Sequence, residues 1–187
     1  MRSNYIAKNQ LHEIMDNVPP KTRLIMRVAL ETGLRIGDVV SLRRGNLVEN
    51  AVEKVAQKTG KAGRWVISDS LMEILRRDCP RRGYLFPGRK GHVTRQTVWR
   101  HIKQACQKLE IDPAGISPHS LRKDYAVRKM RTDGFLAAQQ GLQHTNAELT
   151  RVYAYADTIM RADTDEPIRW CDLEIIVTYI LDRLRES

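Results

Sequence analysis

Ser117-Pro118-His119-Ser120-Leu121-Arg122 is a helix start with chemistry in it. Pro118 suits the first helical position, and Ser117 is a good N-cap residue. His119 and Arg122 are three apart and share a helix face. Both would sit beside the positive end of a helix dipole, where anions bind. A plain surface helix with both side chains solvated reads equally well from these residues alone. The surrounding chain has to decide.

That chain has 187 residues, a hydrophobic fraction of 42% and a formal charge of +10, with a pI near 9.8. The length suits one domain, and the apolar content suits a real core. The basicity calls for a polyanionic partner, nucleic acid first and an anionic membrane second. Residues 163–187 hold seven acidic and three basic side chains, so the excess of positive charge lies upstream. Cys79, Cys106 and Cys171 are odd in number and lack metal-ligand spacing, which favours reduced thiols in a cytoplasm. No stretch approaches the roughly 18 apolar residues of a membrane span, and Met1 to Tyr5 leads into no apolar signal segment.

Periodicity and punctuation then divide the chain. Residues 6–17 read as a short amphipathic helix stopped by Pro19-Pro20. Residues 21–32 form a second helix, with Leu24, Ile25, Val28, Ala29 and Leu30 inward and Gly33 ending it. A further helix starts at Leu34. Arg35 stands there between Leu34 and Ile36, a costly place for a cation unless it is paired or faces a ligand, and Asp38 is a candidate partner.

From Asn46 to Ile67, Val52, Val55, Trp65, Val66 and Ile67 favour strands, with Lys58-Thr59-Gly60-Lys61-Ala62-Gly63 as the turn of a small antiparallel sheet. Asp69 or Ser70 caps a helix reaching Asp78. Pro80 to Lys90 is a loop with Tyr84-Leu85-Phe86-Pro87 as an apolar plug. Thr94 caps a helix through Lys108, with Val98, Ile102, Ala105 and Leu109 buried and Arg95, Arg100, Lys103 and Lys108 on its outer side. Such a basic helix can enter a DNA major groove or simply carry a solvated face. The helix opened by Ser117 runs to about Arg131. A short helix holding Phe135, Leu136 and Leu142 comes next, and one capped by Asn146 reaches Tyr153 or Tyr155. After a polar linker, Trp170, Leu173, Val177, Ile180 and Leu184 mark a last amphipathic helix.

Five stretches in this order resemble the catalytic domain of the tyrosine recombinases, or phage integrases. They are Thr32-Gly33-Leu34-Arg35-Ile36-Gly37-Asp38, Lys58-Thr59-Gly60-Lys61, Pro118-His119-Ser120-Leu121-Arg122, Leu142-Gln143-His144-Thr145, and Tyr153 nine residues beyond His144. The resemblance implies a mainly helical α+β fold with a small antiparallel sheet, over residues 1–162. Residues 163–187 would be an acidic linker and a helix docking on the same chain or on a neighbouring protomer.

The resemblance also implies the chemistry. Tyr153 would attack a DNA phosphodiester and leave a 3′-phosphotyrosyl bond with a free 5′ hydroxyl. Arg35 and Arg122 would grip the non-bridging oxygens with planar forks. Lys58 would protonate the leaving oxygen, His119 would handle a proton, and His144 would donate to a non-bridging oxygen. Asp38 matches an acidic residue that orients the first Arg. Lys61, Arg95, Arg100 and Lys103 would contact DNA, with Arg95 the leading choice for base readout. No cofactor and no metal is implied. The implied partners are double-stranded DNA, three further copies of the chain in a tetramer, and accessory DNA-bending proteins, in a cytoplasmic, nucleoid-associated setting.

Two departures stand out: Gln143 replaces the Gly frequent before the second His, and Lys123 replaces another frequent His. Only about twenty residues precede the second helix, so a short member and an excised catalytic domain both remain open. A type IB topoisomerase and an inactive DNA-binding regulator on the same fold are the competing functions.

Overall fold

Pro19 and Pro20 set the first boundary of the fold. In a computed structural model, helix α1 (Lys8–Asp16) ends before them, and Pro20 opens α2 (Pro20–Thr32) at a position that needs no N–H. The structure describes Ile6, residues 8–55, Gly60, and residues 62–89 and 91–142. The chain divides into two compact units, Met1–Tyr125 and Ala126–Ser187. The boundary expected at 162/163, the helix around Tyr153 and the C-terminal helix fall outside the described residues.

Within the first unit, Ile25, Met26, Val28 and Ala29 are the inward face of α2, joined by Thr22 and Thr32. Leu24 and Leu30 pack at its edge. Gly33 ends the helix in the left-handed region (φ 65°), its N–H donating to Ala29 O at 2.9 Å. The next helix begins later than its sequence suggests. Leu34 N–H donates to Thr32 Oγ1 at 3.2 Å, and Arg35 is extended (φ −63°, ψ 143°), so α3 covers Ile36–Val40. The glycine corner takes up the residues expected to open that helix.

A short 3₁₀ turn (Arg44–Asn46) leads into the sheet, whose strands β1 (Leu47–Val48), β2 (Ala51–Val55) and β3 (Ala62–Val66) run antiparallel in that order. Glu53 pairs with Arg64 and Val55 with Ala62. Ala62 and Gly63 therefore belong to β3, and not to the turn as the sequence pattern implies. Arg64 bridges Glu53 and Glu49 at 2.7 Å each, across the exposed face. Val52 and Trp65 point into the core.

Helix α4 (Asp69–Asp78) is capped by Ser68, not by Asp69 or Ser70. Ser68 Oγ accepts from Leu71 N–H at 3.3 Å, while its own N–H and hydroxyl donate to the Glu31 carboxylate at 2.8 and 3.1 Å. The cap is chosen by a contact with α2, which local sequence cannot announce. The loop after α4 contains a further two-stranded ladder, β4 (Pro87–Gly88) with β5 (Gly91–His92), where the sequence suggests a loop alone. Leu85 and Phe86 are buried as the plug, with Leu85 N–H bonded to Leu42 O at 2.8 Å. Helix α5 (Arg95–Lys108) starts as expected, Thr94 Oγ1 accepting from Thr97 N–H at 3.2 Å. It buries Val98, Ile102, Ala105 and Cys106, with Leu109 packed at the edge. Cys79 and Cys106 are free thiols whose pKa burial raises.

Helix α6 (Pro118–Asp133) begins in the first unit. Ser117 Oγ accepts from His119 N–H and Ser120 Oγ accepts from Ser117 N–H, both at 3.3 Å, a reciprocal cap with serine in the usual place of glutamate. In the second unit the described residues are the end of α6 and α7 (Phe135–Gly141), separated by Gly134 at φ 86°. Ala126, Val127, Met130, Ala138 and Leu142 are buried. No described helix is long and apolar enough to cross a membrane.

Gly33 carries two constraints at once. A Cβ there would lie 2.6 Å from Tyr125 Cε1, and the backbone is left-handed. Gly33→Ala is expected to cost about 2–5 kcal/mol, the sum of the left-handed penalty and of overpacking. Gly45, where an added methyl group would meet no atom within 4 Å, serves as the control. Gly45→Ala should leave stability within about 0.5 kcal/mol. Urea unfolding of both variants, followed by circular dichroism, checks the difference.

Candidate active site

The first turns of α3, α5 and α6 line one cleft of about 440 Å³. Its walls are Arg35, Ile36, Gly37 and Asp38 from α3 and the residue before it, Arg95 from the start of α5, and Pro118, His119 and Arg122 from α6. Two of these helices are long, 14 and 16 residues, and their dipole ends add positive potential to the arginines. The chemistry of the cleft is that of an anion site.

Each cation is held differently. Arg122 is 3% exposed, and its guanidinium donates to the carbonyl of Gly33. That bond fixes the arginine to the corner between α2 and α3. Arg35 is half-buried at the N-cap of α3, two residues past the same corner. Asp38 is 2% exposed. The described link between Arg35 and Asp38 runs through the backbone, Asp38 N–H donating to Arg35 O at 2.8 Å. Arg95 is exposed at the first residue of α5, directly after its cap Thr94.

His119 stands at the exposed rim, in a concave wall where protein atoms crowd the ring without covering it. Its pKa is lowered from 6.5, first by desolvation and then by the charges of Arg122, Lys123 and Arg35. The imidazole is therefore neutral at pH 7 and able to accept a proton. Lys123, next along α6, has its ammonium pKa lowered by desolvation.

Of the residues singled out in the sequence, Arg35, Asp38, Arg95, His119 and Arg122 meet in this cleft. The helical pattern of α5 puts Arg95 on its basic outer side but does not foretell its place beside the other two arginines. The signal available is Thr94, which sets Arg95 at a helix N-terminus. Arg100 is exposed further along α5. Lys103 is half-buried, its ammonium donating to the Pro113 carbonyl and standing 5.8 Å from the Trp99 ring centre. Lys58, Lys61, His144 and Tyr153 lie outside the described residues. Sequence reasoning missed Tyr125 and the part Gly33 plays in holding Arg122 at the corner. Among the described residues no group of His, Cys, Asp or Glu is arranged to hold a metal ion.

The family model "Phage integrase family" matches residues 4–159. The chain belongs to the phage integrase family. Its match spans the cleft residues and also the positions of Lys58, His144 and Tyr153. The tyrosine recombinase XerC of Erythrobacter litoralis is 27% identical over 146 residues, covering 75% of this chain and 48% of that protein. The integrase of Escherichia phage P2 is 28% identical over 154 residues, covering 82% and 43%. The chain thus spans about half the length of the curated relatives it matches. Among solved structures, the catalytic domain of bacteriophage HP1 integrase superposes with a TM-score of 0.67 at 24% identity, covering 89% of this chain and 97% of that one. A lambda integrase (75–356) dimer bound to a COC′ core site gives 0.67 at 17%, covering 82% and 59%. The fold is that of tyrosine recombinase catalytic domains: helical, with a small antiparallel sheet.

The lowered His119 pKa gives a titration test. The folded chain binds fewer protons than the unfolded one between the folded midpoint and 6.5. This group's contribution to stability is thus complete above 6.5 and is lost as pH falls through the folded midpoint. The His119 ring resonance should titrate below pH 6.5. In Arg35→Gln the midpoint should move up, because one of the cations that depress it is gone. Histidine-labelled NMR across pH 4–8 measures both.

Proposed function

We propose that this phage integrase family chain is a site-specific recombinase that cleaves and rejoins double-stranded DNA through a 3′-phosphotyrosyl intermediate. The observation that carries the reading is the cleft itself: three arginines and a neutral imidazole around the starts of two long helices. A phosphodiester undergoing in-line exchange gathers negative charge on its equatorial oxygens. Fixed donors already aimed at that position stabilise it without reorganising.

Tyr153 Oη attacks phosphorus, and its proton passes to the neutral His119. Arg35 and Arg122 hold the non-bridging oxygens, and His144 donates to one of them. The bond from phosphorus to the 5′ oxygen breaks, and Lys58, carried on the β2–β3 hairpin, supplies the proton that oxygen needs. Reversal with a different 5′ hydroxyl rejoins the strand, so no external energy source enters. Asp38 positions the α3 end of the site. Arg95 adds a third guanidinium at the edge of the cleft, between the phosphate position and the outer face of α5. Arg100, Lys103 and Lys61 supply further contacts to the DNA backbone. A homotetramer on paired duplexes is the proposed assembly, joined through the 163–187 segment, with accessory DNA-bending proteins as additional partners.

A nicked suicide duplex from the native locus tests the chemistry. The full chain should give a slow-migrating covalent adduct on a denaturing gel. Tyr153→Phe should give none, and Arg35→Ala should slow adduct formation about 10²–10³-fold, the usual loss for one oxyanion donor. An adduct that persists in Tyr153→Phe would move the nucleophile, with Tyr155 the next choice. Binding without any adduct would leave a regulator on this fold.

A further inference from the structure

Three large hydrophobic side chains are exposed among the described residues, Val55, Val66 and Trp99. The two valines lie on strands β2 and β3. Trp99 is different in its setting. It is 48% exposed on the outer side of α5, away from the stripe Val98, Ile102 and Ala105 that faces the core. Arg95 precedes it by four residues and Lys103 follows it by four, so the three form one row on the helix surface. Arg100 is exposed beside it. The row starts in the anion cleft, because Arg95 is one of its walls.

The half-exposed indole is an apolar surface in the middle of a basic row, and the row selects the partner. A basic protein surface would bring unfavourable charge to Arg95, Arg100 and Lys103, and a neutral one would offer them no counter-charge. A polyanion does. We infer, resting on the DNA reading of the cleft, that Trp99 packs against a thymine 5-methyl group in the major groove of the bound duplex, close to the phosphate that the cleft grips. It thereby contributes to sequence choice.

The geometry fits. Four residues of helix advance about 6 Å, and stacked bases are about 3.4 Å apart. Trp99 therefore reaches no further than about two base-pair steps from the point where Arg95 enters the cleft. The major groove admits a helix, and the thymine methyl is the one apolar feature on its floor. Arg95 and Arg100 would meet phosphates or base edges on either side of the ring. Lys103 is already bonded to Pro113 and lies against the ring, so it limits how far the indole swings.

The test replaces thymine by uracil, which deletes only the methyl group. Duplexes from the native locus, each with one thymine changed, are titrated with the full chain at fixed salt and followed by fluorescence anisotropy. Wild type should bind about fourfold more weakly when the change falls within about three base pairs of the cleaved phosphate, the worth of one buried methyl. Elsewhere the change should have no effect. In Trp99→Ala, overall binding should weaken and the thymine–uracil difference should vanish, with the melting temperature unchanged. Trp99→Ala binding as wild type does, with the same thymine–uracil difference, overturns the inference. So does an unaltered DNA affinity accompanied by loss of self-association in sedimentation, which would make the ring a protein contact. Absence of binding to every duplex would overturn the DNA reading as well. A thymine effect without any covalent adduct would keep this inference and sink the recombinase chemistry alone.

Discussion

The hydrogen bond from the Arg122 guanidinium to the Gly33 carbonyl is the contact on which the site depends. A guanidinium that is 3% exposed has left most of its water behind, and it needs acceptors to replace it. The end of a helix offers them, because the last carbonyls of α2 have no partner within the helix. Tyr125, three residues beyond Arg122 on α6, lays its ring where the side chain of residue 33 would be. Two neighbouring residues of α6 thus hold one glycine. Arg35 follows that glycine by two residues, so the spacing of Arg35 and Arg122 is set by the same corner. A phosphate gripped by both would be gripped at a distance that the fold had already fixed, which is what electrostatic preorganisation requires.

The corner also explains the division of labour among the cations. Arg122 is buried and anchored, Arg35 is half-buried, and Arg95 is exposed at a helix start. The three run from the floor of the cleft towards its mouth. Desolvation first, and then the charges of Arg122, Lys123 and Arg35, disfavour a further positive charge, and His119 answers by staying neutral. The neutral form is the one that can take a proton from a nucleophile. A phosphate between the arginines would offset part of that positive field and ease transfer of a nucleophile's proton to the ring, which is the property a proton-transfer group needs.

What is legible in the sequence is local. The apolar stripes of α2 and α5, the caps Thr94 and Ser117, the Gly33 corner and the β2–β3 hairpin are each written in residues a few places apart. Ser68 does not announce itself as a cap, because its selection depends on Glu31 on another helix. The β4–β5 ladder is hidden because two-residue strands built from Pro87, Gly88, Gly91 and His92 carry no alternation to read. A helical wheel gives Arg95 a face and not the neighbours that the end of a helix meets. The family resemblance brings Arg35, His119 and Arg122 together in advance of the structure. Lys58, His144 and Tyr153 lie outside the described residues, and their roles rest on the resemblance.

Polar residues buried in the described chain are few: Thr22, Thr32, Asp38, Ser41, Ser120, Arg122 and Asp124. They are not spread through the core. Thr32 ends α2 at the corner, Asp38 and Ser41 belong to α3 and its end, and Ser120, Arg122 and Asp124 lie in the opening turns of α6. Thr22 alone stands apart, bonded to His101 Nδ1 at 2.7 Å. Apolar side chains of similar volume often fold such a region as well or better, because a buried ion pair commonly gains back little more than its desolvation costs. The core of Ile25, Val39, Leu42, Leu71, Leu75 and Ile102 shows that the chain has such residues to use. Two short stretches of chain, 32–41 and 120–124, thus hold the buried charges and the glycine that admits no side chain. Conflicts of this kind between local preference and tertiary structure collect where a protein does its chemistry. Two of the buried charges, Asp38 and Arg122, line the cleft itself.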